Sequence, residues 1–124
     1  MKAWLQRHRL ALWVLVIIFI VFPWRSLENH THWDSIQWIP FVSPPVRVRD
    51  IVGNIALYGP FGWFYMRRAG ASALVCVLWA VALSLATEAS QLFTHNRFPS
   101  VQDLLTNVAG AAIGVALARS RNEN

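Results

Sequence analysis

Hydrophobic residues in this chain gather into four runs, at 10–24, 50–66, 71–93 and 101–118, each nearly free of charge and each bounded by charged, prolyl or turn residues. Runs that are apolar on every face lack the polar stripe of a soluble amphipathic helix, and they predict helices surrounded by lipid. A spanning helix needs about 20 residues to cross about 30 Å of hydrocarbon. The run at 71–93 reaches that length unaided. Flanking side chains that reach the interface complete the others: Trp4 and Arg7 before the first, and Trp63, Tyr65 and Arg67 at the end of the second. The expectation is an all-α integral membrane bundle of four transmembrane helices, forming a single domain over 1–124. The long connection 25–49 is polar at first, then carries Trp33 and Trp38 among apolar residues, then Pro40, Pro44 and Pro45. It reads either as a segment lying in the interface or as a prolyl loop with membrane-facing aromatics.

Composition agrees with that pattern. Of 124 residues, 56% are hydrophobic and 14% charged, which is too little polarity to coat a soluble domain of this size. The net charge of +5 comes from basic residues that flank the apolar runs. No recognition motif accompanies them, so nucleic acid is not an expected partner and membrane lipids are. With the N-terminus inside, Lys2, Arg7, Arg9, Arg67, Arg68, Arg119 and Arg121 are cytoplasmic, against Arg25, Arg47, Arg49 and Arg97 outside. That asymmetry favours N-in and C-in, with 25–49 as the outer loop. The first run ends without a small-x-small cleavage site, so it reads as an uncleaved signal anchor. Cys76 lies inside an apolar run and reads as a packing residue. His30 and His32 form a bare His-x-His in a loop and read as surface residues; no metal or cofactor is expected.

The polar residues of the runs are not scattered. Asp50 and Asn54 open the second run, four apart and hence on one face. Glu88 and Gln91 stand near the end of the third, with Ser84 extending their face inward. Asp103 and Asn107 open the fourth, and Arg97 occupies the short loop before it. Alternating helix directions bring all of these to the outer half of the membrane. Ionisable groups at membrane depth usually face a bundle interior or a cavity. Two readings follow. In one, Asp50, Glu88 and Asp103 are candidate catalytic acids of an outward polar pocket, with Asn54, Gln91, Arg97 and Asn107 binding substrate. In the other, the same groups clamp the helices together, Arg97 neutralising a carboxylate. On the fourth run, Gly110-x-x-x-Gly114 continues the face of Asp103 and Asn107 and invites close backbone approach. On the second, Pro60 and Gly62 point either to a kinked helix lining a cavity or to residues that membrane helices simply tolerate.

These residues, in this order and spacing over 50–118, resemble the VanZ-like family. That family's pattern is an Asp-x-x-x-Asn helix leading to Pro-x-Gly, matched by Asp50, Asn54, Pro60 and Gly62. A Glu-x-x-Gln helix end follows, matched by Glu88 and Gln91, then a loop Arg, Arg97. The pattern closes with Asp103, Asn107, Gly110 and Gly114. Some members carry a further acid between the loop Arg and the last Asp, where this chain has Ser100 and Gln102. The resemblance implies a multi-pass protein of the bacterial cytoplasmic membrane. It also implies kinship with proteins linked to resistance to the glycopeptide teicoplanin, which acts on cell-wall precursors outside that membrane.

Three functions are compatible with the residues. The first is a site that binds, or acts on, an envelope lipid or lipid-linked cell-wall precursor from outside. The second is a small transporter or channel subunit, which needs a homo-oligomer because four short helices hardly enclose a pore. The third is a non-catalytic accessory that holds an envelope enzyme through the glycine face of the fourth run. No nucleophile–base pair, metal-ligand set or glycine-rich phosphate loop supplies a mechanism, so the sequence leaves enzyme and binder undivided.

Overall fold

The structure, a computed structural model, describes residues 1–24, 27–28, 31, 33–42, 47–94 and 98–123. Arg97, His30 and His32 lie outside the described residues. Four α-helices build the fold: α1 Lys2–Val21, α2 Val48–Met66, α3 Ala73–Gln91 and α4 Val101–Asn122; a short 3-10 turn at Trp33–Ser35 lies between α1 and α2. Every apolar run is helical, and the bounds shift for physical reasons. α1 begins at Lys2 because Lys, Leu, Gln and Arg are good helix formers, whereas hydropathy marks only the lipid-facing part. It stops before Pro23, which withholds a backbone donor. α3 starts after Ser72, whose Oγ accepts the Val75 N–H at 3.5 Å as an N-cap. Gly70, with φ of 70°, supplies the left-handed residue in the preceding turn. α4 runs past its apolar stretch to Asn122, with Arg119 and Arg121 at the negative end of the helix dipole. α2 passes through Pro60 as one helix, without an interrupted turn.

α1, α3 and α4 are long and apolar enough to cross a membrane; α2 is not among these three. Leu15, Phe19, Leu74, Leu78 and Leu117 are each more than half exposed on the outside of the bundle. Soluble proteins do not leave such a surface in water, and this is a membrane protein.

α2 and α4 run parallel and touch through their backbones. A Cβ on Gly110 would lie 2.8 Å from Ile55 Cα, and one on Gly114 would lie 2.8 Å from the Trp63 nitrogen while colliding with the Gly59 carbonyl. One on Gly62 would collide with the Ala111 carbonyl. The glycine face of α4 is therefore filled by α2 of the same chain. It is not open to an envelope enzyme, and the accessory reading loses that particular surface. α3 runs antiparallel to α4, with Ser84 opposite Asn107 and Glu88 opposite Ser100. α1 lies antiparallel to α2 and buries only Ile17 and Val21. Its Trp13 Nε1–H donates to the Leu57 carbonyl at 2.7 Å, in the turn where Pro60 lacks a donor. Tyr58, Phe61, Cys76, Ala80, Ala111 and Val115 complete the core.

The bundle thus has two ends. The terminal end carries the start of α1, the α2–α3 hairpin and the last turn of α4. The loop end carries the starts of α2 and α4, the end of α3 and the long connection. Described parts of that connection dock on the turn between α3 and α4. Glu28 N–H donates to the Phe93 carbonyl at 2.8 Å and Gln37 N–H to the Pro99 carbonyl at 2.8 Å. The Gln37 carbonyl accepts from Val101 N–H at 3.1 Å, and the Gln102 side chain accepts from Phe41 N–H at 3.1 Å.

Candidate functional site

The buried face of α3 changes character along its length. Cys76 and Ala80 are followed by Ser84, Thr87, Glu88 and Gln91, a helical spacing that turns one apolar stripe polar towards the loop end. The buried face of α4 does the reverse, opening with Thr106 and Asn107 and continuing as Gly110, Ala111 and Gly114. Because the helices are antiparallel, the two polar stretches meet.

Glu88 is buried, with 8% of its surface exposed. α3 ends at Gln91, so Glu88 stands under a turn from the helix end. Its burial goes with the Ser100 segment that lies against it, rather than with depth within an apolar run. Glu88 Oε2 accepts the backbone N–H of Ser100 at 2.7 Å. Ser100 is the N-cap of α4, so this carboxylate caps a helix distant in sequence and sits at the positive end of its dipole. A charge-assisted bond of this kind contributes about 1.5–3 kcal/mol.

Asp103 lies in the first turn of α4 and gains from the same dipole. Asn54 Nδ2–H donates to Asp103 Oδ1 at 3.0 Å and to Thr106 Oγ1 at 2.9 Å, which ties the loop ends of α2 and α4. Asn107 Nδ2–H donates to Ser84 Oγ at 2.9 Å, which ties α4 to α3. The structure thereby brings Asn54 to Asp103, Glu88 to the start of α4 and Asn107 to Ser84 of α3. Gln91 is buried on the same face of α3. Asp50 stands apart: it is exposed at the start of α2, with the Arg49 guanidinium Nε 3.4 Å from its Oδ1. Gly62, Gly110 and Gly114 lie in the α2–α4 seam, and Pro60 stands within α2 beside Gly59, which touches α4.

Two groups in the cluster have unused hydrogen-bonding capacity among the described residues. Asn107 Oδ1 and the Tyr58 hydroxyl are buried without a hydrogen-bond partner. The Tyr58 hydroxyl faces the Ser84 and Thr87 side chains closely enough to interact with both, though outside good hydrogen-bond geometry, and it feels the Glu88 carboxylate. Tyr58 is the member that sequence reasoning missed, since a tyrosine in an apolar run reads as packing. Its spacing of four from Asn54 was the available signal. Ser100 and Thr106 were likewise missed; Ser100-x-x-Asp103 has the spacing of a helix start. Two cavities of about 780 and 500 Å³ open elsewhere, around α1, and neither is lined by a residue of this cluster.

A family model described as VanZ/LLP1 matches residues 9–122 of the chain. No match is found among curated proteins or among solved structures.

Proposed function

The chain belongs to the VanZ/LLP1 family, and on that footing we propose a multi-pass protein of the bacterial cytoplasmic membrane whose outward polar cluster binds an envelope lipid or lipid-linked cell-wall precursor. Both termini are cytoplasmic in this reading, as the excess of Lys and Arg at the terminal end favours. α2 counts as a span because it lies parallel to α4 from Asn54 beside Asp103 to Trp63 beside Gly114.

One observation carries the binding reading. Asn107 Oδ1 is buried with no hydrogen-bond partner among the described residues, and the Tyr58 hydroxyl is buried outside good hydrogen-bond geometry, whereas about nine in ten buried polar groups in proteins are satisfied. An unsatisfied acceptor and a hydroxyl, on helices that also bury the Glu88 carboxylate, suit a ligand that presents both donors and acceptors, as sugar and peptide parts of wall precursors do. In this reading Arg47 and Arg49, exposed at the start of α2, and Arg97 are assigned to its phosphates. No catalytic step is assigned to Glu88, Asp50 or Asp103. A second reading, a purely structural clamp, draws support from the bond between Glu88 and Ser100 N–H.

Mass spectrometry of envelope lipids and precursors separates them, in cells with the gene deleted, restored, and restored as Glu88→Gln. Gln keeps an acceptor for Ser100 N–H and removes the charge. The binding reading expects species that change on deletion, return on restoration and stay altered in a folded Glu88→Gln protein. A folded variant that restores the parent's lipid profile removes the site and leaves the clamp. Unchanged species with altered flux would point to transport.

A further inference from the structure

At the terminal end, away from the polar cluster, a cleft of about 780 Å³ separates the start of α1 from the α2–α3 hairpin. Arg7, His8, Arg9, Arg67 and Arg68 line it, and no acidic residue does. Of the six acids in the chain only Glu123 belongs to this end, so little within the chain neutralises the cleft. The guanidiniums are not loose. Arg9 lies 5.5 Å from the centre of the Phe64 ring and its Nε–H donates to the Gln6 carbonyl at 3.2 Å. Arg68 lies 5.7 Å from the Tyr65 ring. Stacking on aromatic rings holds a guanidinium in place while leaving its remaining donors free for an anion.

The cleft does not end among the arginines. Leu10, Val14 and Arg68 also line a second cavity of about 500 Å³, which continues between Phe61, Tyr65, Trp79 and Leu83 into the apolar part of the bundle. A basic basin opening into an apolar groove at membrane level matches one class of molecule, with a phosphate at one end and a hydrocarbon chain at the other. We propose that this cleft is a binding site for an anionic phospholipid of the leaflet that faces the N-terminus. Its headgroup phosphate rests among Arg7, Arg9, Arg67 and Arg68, and one acyl chain lies in the groove beside α1. Basic pockets between membrane helices are a known mode of holding anionic headgroups. A zwitterionic headgroup brings its own cation into a basin already carrying four, and is disfavoured. A free phosphate ion uses the arginines but gains nothing from the groove.

The test uses the purified full chain in detergent micelles containing equal phosphatidylglycerol and phosphatidylcholine with identical chains, with bound lipid counted by native mass spectrometry. The parent should retain phosphatidylglycerol at least tenfold over phosphatidylcholine, on the order expected for several basic contacts. Arg9→Gln/Arg68→Gln should bind it about 30-fold more weakly, from about 1 kcal/mol per basic residue and a factor of ten per 1.4 kcal/mol. Arg119→Gln/Arg121→Gln removes the same charge from the same end, outside the cleft, and should change binding by less than about threefold. Equal losses in the two double variants would mean diffuse surface charge and would overturn the site. Displacement of the lipid by millimolar inorganic phosphate would replace it with a free-anion site. Should the Arg9/Arg68 variant fail to accumulate, the parent alone decides, because parity between the two lipids sinks the proposal.

Discussion

Gly114→Ala is the sharpest perturbation of the α2–α4 seam. The added Cβ would stand 2.8 Å from the Trp63 nitrogen and closer still to the Gly59 carbonyl, where ordinary contacts begin at 3.4 Å. Both obstacles are backbone, so no side chain can rotate away. The helices must part by roughly 0.6 Å at Trp63 and by more at Gly59. Overpacking of this kind costs about 1–3 kcal/mol, and rigid neighbours on both sides place this site at the upper end. Alanine returns about 1 kcal/mol in helix propensity. The net expectation is a loss of about 2 kcal/mol. Gly53 provides the control: a Cβ there meets nothing within 4 Å, so Gly53→Ala should keep its propensity gain of up to about 1 kcal/mol. Reversible unfolding in mixed micelles, titrated with dodecyl sulfate and followed by far-ultraviolet circular dichroism, measures both. A Gly114→Ala protein as stable as the parent, or one no worse than Gly53→Ala, would refute the parallel register of α2 and α4.

Three further outcomes follow from the loop end and the topology. Asn54→Leu deletes a donor to the Asp103 carboxylate and should cost about 2 kcal/mol in the same unfolding assay; no loss would mean that the bond at 3.0 Å does not hold α2 to α4. Glu88→Ala leaves the Ser100 N–H unpaired and should cost about 1–3 kcal/mol, whereas Glu88→Gln should stay within about 1 kcal/mol of the parent; equal stabilities would deny the long-range cap. In a Cys76→Ala background, Thr31→Cys should react with an impermeant maleimide in intact cells and Ala69→Cys should not. The reverse pattern would turn the bundle over and place the polar cluster in the cytoplasm.

Sequence carried the helices because lipid-facing segments advertise themselves by unbroken apolarity, and it carried Asn54, Glu88, Asp103 and Asn107 because polar groups stand out in such segments. The pairing of Asn54 with Asp103 was implicit in the two Asp-x-x-x-Asn openings of parallel helices. Three things were not legible. The partner of the Gly110/Gly114 face is chosen by three-dimensional register, so an outside protein and α2 were equally consistent with the motif. The docking of Gln37 on Pro99 and Val101 is made by main-chain groups, which every residue possesses and no sequence pattern marks. The exposure of Asp50 depends on where the loop end of α2 emerges, and its spacing from Asn54 said only that they share a face.

The α2–α4 seam also sets an order of events during synthesis. α2, with Arg49, Asp50 and Asn54 in its first turns, falls short of the apolarity that would settle it in lipid unaided. The helix whose backbone it must lie against leaves the ribosome only after α3. At about 5–20 residues per second, the 56 residues from Met66 to Asn122 amount to several seconds of waiting. Throughout that interval α2 has α1 and the emerging α3 as company, but its glycine groove is vacant. Nascent chains halted before α4 should therefore expose that groove, and completion of α4 is the step that fills it.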